Sequence, residues 1–115
     1  MDFQRARQEL IDQTLPQYET QDTFLGRLRR GYPPVPGQVT SLLLALKAIH
    51  TSLQQATQLD RVLAHALFLV AYESRNLFES GYAQQVDWPP MLDEDLARIA
   101  IAAHDIFADT PVDID

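Results

Sequence analysis

The side chains best suited to metal chemistry in this chain are three histidines, His50, His65 and His104, which apolar periodicity assigns to three different helices. Three converged imidazoles can hold zinc. Their spacing does not support that reading, because there is no His-Glu-x-x-His and no Glu-x-x-His pair of the di-iron bundle type. His50 is expected on the polar side of its helix, beside Lys47 and Thr51. His104 falls beside Asp105 near a helix end, where a positive imidazole is favoured. Asp93-Glu94-Asp95 would serve magnesium only with partners elsewhere, Glu73 or Glu79, since consecutive helical positions point in different directions. The chain has no cysteine, no Gly-x-Ser-x-Gly, no Gly-x-Gly-x-x-Gly and no phosphate loop, and its single lysine, Lys47, falls in mid-helix. We assign no catalytic residue, no metal ligand and no cofactor.

Two other constellations suit recognition. Residues 27–37, Arg27-Leu28-Arg29-Arg30-Gly31-Tyr32-Pro33-Pro34-Val35-Pro36-Gly37, gather three of nine basic residues, three of seven prolines and two of four glycines. Arg30-x-x-Pro33-x-x-Pro36 matches a basic residue followed by PxxP, the pattern that receptors of extended proline segments read. Here, however, the segment ties two helices together, so capping by Gly31 and stiffening by the prolines explain most of it. Arg27 sits too early to be only a cap, and Tyr32 is large for a turn. The second constellation is the series Arg61, His65, Phe68, Tyr72, Arg75 and Glu79. At helical spacing these residues line one face, while Leu63, Leu67, Val70 and Leu77 line another. Aromatics and arginine are enriched in protein contacts. The competing reading packs Phe68 and Tyr72 beneath another helix of the same chain, with His65 an ordinary buried histidine. Arg27, Arg29, Arg30, Tyr32, Phe68, Tyr72, Arg75 and Trp88 are the binding candidates.

The elements that must carry these residues read as helices throughout. A first helix spans roughly 2–15 and is ended by Pro16. A second runs from about 22 to 30, capped by Asp22 or Thr20, with Gly31 past its end. A third covers about 38–56. Thr57-x-x-Asp60 resembles a capping box opening a fourth, about 58–80, stopped by Gly81. Being apolar on nearly all sides between Val62 and Tyr72, that fourth helix is expected to be central. A fifth, about 91–108, buries Leu92, Leu96, Ile99, Ala103 and Ile106, and carries a second face of Ala97, Ile101, His104 and Ala108. Tyr32-Pro33-Pro34 and Trp88-Pro89-Pro90 form a faint echo ahead of the third and fifth helices. Short connections predict sequential helices as antiparallel neighbours, giving an all-α, compact four- or five-helix bundle over residues 1–108 with an acidic, frayed tail at 109–115.

Composition narrows the function classes. The 115 residues carry a formal net charge of −7. Residues 1–75 hold eight bases against seven acids, whereas residues 76–115 hold Arg98 against nine acids. That distribution argues against a nucleic-acid partner, which needs a basic face. No apolar run approaches the roughly 20 residues needed to span a bilayer, and no apolar signal core follows Met1. With no cysteine, the expectation is a soluble, cytoplasmic protein with neither nucleic-acid nor membrane partner.

The stretch Leu28 to Thr40, together with Trp88-Pro89-Pro90, resembles a group of short all-helical cyanobacterial proteins without assigned biochemistry. Some members carry a dethiobiotin synthetase label. That label implies an ATP-dependent enzyme with a phosphate loop, which this sequence lacks. The resemblance therefore supplies no functional residues. The function expected is a non-enzymatic helical protein-interaction module that self-associates, a homodimer in its simplest form. The alternative is a small helical-bundle ligand-binding or metal-dependent enzyme in which Glu73, His65 and His104 converge.

Overall fold

The computed structural model describes residues 1–109, and among them every regular element is helical. The order is α1 (Phe3–Thr14), a short 3-10 turn (Pro16–Tyr18), α2 (Phe24–Arg29), α3 (Gln38–Ser52), α4 and α5 (Leu92–Ala108). Helix α4 runs without interruption through Arg61–Phe68, a π-helical segment Leu69–Glu73, and Ser74–Ala83. The predicted tail lies outside the described residues except for Asp109, whose carboxylate accepts from the Gln55 amide at 3.1 Å.

One core holds the fold together. Leu10, Leu42, Leu46, Ile49, Leu63, Leu67, Leu96 and Ile99 are among its fully buried members. Each such side chain contributes about 1.5–3 kcal/mol by leaving water. All five predicted core residues of α5 are buried. The bundle is a ring in which α1 packs on α3, α3 on α5, α5 on α4 and α4 on α1, with α2 filling the gap between α1 and α4. Helix α4 thus touches three of the other four helices. Chain order and ring order differ in two places, because α2 and α3 are not neighbours and neither are α3 and α4. The connection from α3 to α4 crosses a diagonal, so these two sequential helices are not neighbours as the short-loop argument predicts. Residues 53–60 are long enough to cross the end of the bundle.

Helix ends differ from the sequence reading for identifiable reasons. Thr23, not Asp22 or Thr20, caps α2, its hydroxyl accepting from Gly26 N at 3.3 Å, while Phe24 N is taken by Gln13 from α1 at 2.7 Å. Helix α3 stops at Ser52, four residues early, and Gln55 adopts a left-handed conformation at φ 68°. The capping box over 57–60 does not form. Asp60 is itself the cap, accepting from Leu63 N at 2.7 Å, and α4 begins at Arg61. Gly81 does not stop α4. The chain turns two residues later in a Schellman motif, with Val86 N donating to Gly81 O (2.8 Å), Gln85 N to Tyr82 O (3.0 Å), and Gln85 itself left-handed at φ 68°.

Candidate interaction surface

The Arg27–Gly37 corner is fastened to the protein's own body. Gly31, at φ 78°, ends α2 in a second Schellman motif, in which Tyr32 N donates to Arg27 O and Gly31 N to Leu28 O. Arg27 then folds over its own exit. Its Nε donates to Pro33 O at 2.6 Å, and its guanidinium lies 5.7 Å from the Tyr32 ring centroid. Gln38, which sequence reasoning passed over, closes the corner from α3. It accepts from Val35 N at 3.0 Å and donates to Gln13 Oε1 at 3.0 Å and to Asp22 O at 3.1 Å. Arg29 forks onto Glu19 and reaches Glu73 of α4 at 3.1 Å. These carboxylates, Glu19 foremost, hold its guanidinium further toward the charged form than usual. Arg30 is exposed and pairs with no acid among the described residues. Tyr32 is exposed as well.

The proline echo has a spatial counterpart. Residues Pro34–Gly37 with Pro89 and Met91 border one groove of about 300 Å³, floored by Leu43 and Leu92, with the Asp95–Arg98 pair (2.8 Å) at one end. Trp88 turns away from that groove. Its ring stacks on Phe78 at 5.9 Å and its Nε1 donates to Phe78 O at 3.0 Å. Gly81 makes room for it, because a Cβ there would meet Trp88 Cζ2 at 2.5 Å. Trp88 therefore pins the α4–α5 connection, and the only direct signal of this in the sequence was a glycine two residues before a helix end.

Helix α4 presents the largest departure from an ordinary monomer surface. Phe68 and Tyr72 are 51 % and 54 % exposed, and their rings stack at 5.0 Å with a 20° interplanar angle. They do not pack beneath another helix, and His65 is exposed rather than buried. Phe68 immediately precedes the π segment and Tyr72 lies within it. At its end, Ser74 N donates to Leu69 O, five residues back, leaving Val70 O without the amide that an α-helix would offer. The buried Ser74 hydroxyl takes that place at 2.6 Å. A π turn rotates less per residue than an α turn, so the second half of the stripe winds round toward α5. From there Arg75 reaches Asp93 at 2.6 Å, stacks on Phe78 at 5.2 Å and stands 3.8 Å from Glu79. The Arg75–Asp93 pair lies near the connection and ties the start of α5 to α4. Ala97, Ile101, His104 and Ala108 on the second face of α5 are all exposed, Ile101 by 62 %.

The histidines do not converge. His50 is only 6 % exposed, not on a polar face, because it lies in the α3–α5 seam beside Leu46, Ala102 and Asp105. Its buried Nε2 has no partner among the described residues. His104 contacts Asp105 at 3.1 Å on the surface, and Glu73 is held by Arg29. Among the described residues no group of three or more His, Asp or Glu side chains is arranged to hold a metal ion. No helix among them is long and apolar enough to cross a membrane. Comparison with known proteins finds no family model, no curated protein and no solved structure that matches this chain.

Proposed function

We propose that this chain is a non-enzymatic helical interaction module that pairs with a second copy of itself through the outer face of α4 and the adjoining face of α5. The observation that carries this reading is the stacked, half-exposed Phe68–Tyr72 pair on the outer face of α4. Large aromatic area held in a fixed arrangement at the surface gains most from a partner and loses little side-chain entropy on contact. Arg61 and His65 extend the face at one end, Arg75 and Glu79 at the other.

Substitution tests the surface directly. Phe68→Ser with Tyr72→Ser is expected to abolish self-association in sedimentation velocity while leaving the helical circular dichroism intact, since neither ring belongs to the buried core. Unaltered self-association of the double variant would rule out this face.

A further inference from the structure

The spacing of the α4 stripe reads the same in both directions. Its members, Arg61, His65, Phe68, Tyr72, Arg75 and Glu79, are spaced 4, 3, 4, 3, 4, a series symmetric about residue 70. An antiparallel partner helix whose two-fold axis passes through that point sets residue i opposite residue 140 − i. Phe68 then meets Tyr72 of the second copy, and Arg61 meets Glu79 of the second copy, each contact occurring twice. Resting on the self-association proposed above, we infer that the partner is a second copy docked antiparallel along α4, with two Arg61–Glu79 pairs flanking a central aromatic cluster.

The charges favour this arrangement over a parallel one. A parallel pair would set Arg61 against Arg61 and Glu79 against Glu79, like charges that repel. The antiparallel pair turns both into attractions and satisfies the isologous rule that a two-fold interface be complementary to itself. Arg61 is exposed and has no ion pair among the described residues, and Glu79 has only the long 3.8 Å contact to Arg75. Both termini of the stripe are therefore available to a partner. His65 meets Arg75 of the second copy, which adds no attraction, and Arg75 remains engaged by Asp93.

Charge reversal decides the matter. Arg61→Glu and Glu79→Arg, each alone, replace two attractions with two repulsions and are expected to weaken self-association by about tenfold or more in sedimentation equilibrium. An equimolar mixture of the two variants restores opposite charges at both ends and should recover most of the lost affinity, as should R61E/E79R in one chain. Both sites are exposed, so the melting temperature of the monomer should stay close to that of wild type. If the wild type associates but single reversals change nothing, or neither mixture nor double variant recovers affinity, the antiparallel arrangement is wrong and self-association stands. A wild type that never associates overturns both. If Glu79→Arg fails to fold beside Arg75, Arg61→Glu against R61E/E79Q still separates the outcomes, because removing the opposing acid must relieve the repulsion.

Discussion

Arg27, Arg29 and Arg30 are near neighbours in sequence and do three different things. Arg27 closes the corner on Pro33, Arg29 joins Glu19 to Glu73, and Arg30 faces solvent. Composition marked the corner but not this division, because the division depends on acceptors distant in the chain. Two residues offer sharper tests. Asp60 caps α4 and forks with Arg7 of α1 at 3.0 and 3.1 Å. The Arg7 hydrogen bond, aided by the Leu63 amide and opposed by partial burial, holds its carboxyl below the ordinary carboxylate range. A depressed folded value means stability that is present above about pH 4 and is lost as pH falls through that lower value. Asp60→Ala should cost about 1–2 kcal/mol at neutral pH in urea denaturation, with the difference from wild type shrinking in acid. Gly81→Ala would ordinarily stabilise a helix by up to about 1 kcal/mol. Here the added methyl meets Trp88, so a loss of about 1–3 kcal/mol and a shifted tryptophan emission are expected. A stabilised Gly81→Ala protein would show that Trp88 is not seated there.

At the scale of elements, helix existence was legible and helix termination was not. Period-3.6 apolar spacing located all five helices, and the expected face of α5 is buried residue for residue. Stops were misread where a non-glycine residue takes the left-handed turn, as Gln55 and Gln85 do, since glycine is the only strong sequence mark of such a turn. The π segment left no mark at all. Within it the Ser74 hydroxyl substitutes for an amide at Val70 O. Ser74→Ala should leave that buried carbonyl unpaired and cost about 1–2 kcal/mol. Unchanged stability in Ser74→Ala would mean that the carbonyl finds another donor and that the hydroxyl is not what sustains the turn.

For the whole molecule, the sequence implied more apolar surface than one small bundle can cover, and the structure places the surplus. Helix α4 was expected to be central because it is apolar on most sides. It does touch three helices, yet Val62, Phe68 and Tyr72 remain half in water, and Ile101 of α5 is exposed as well. Ring order explains this. With α3 diagonal to α4, no fifth long helix lies over the α4–α5 face. The proposed covering is a second copy, which the spacing of the stripe fits. Light scattering coupled to size exclusion, from low to high micromolar concentration, tests this most directly. The expected result is a mass rising toward twice the 13.1 kDa of one chain. A constant 13.1 kDa across that range would contradict self-association.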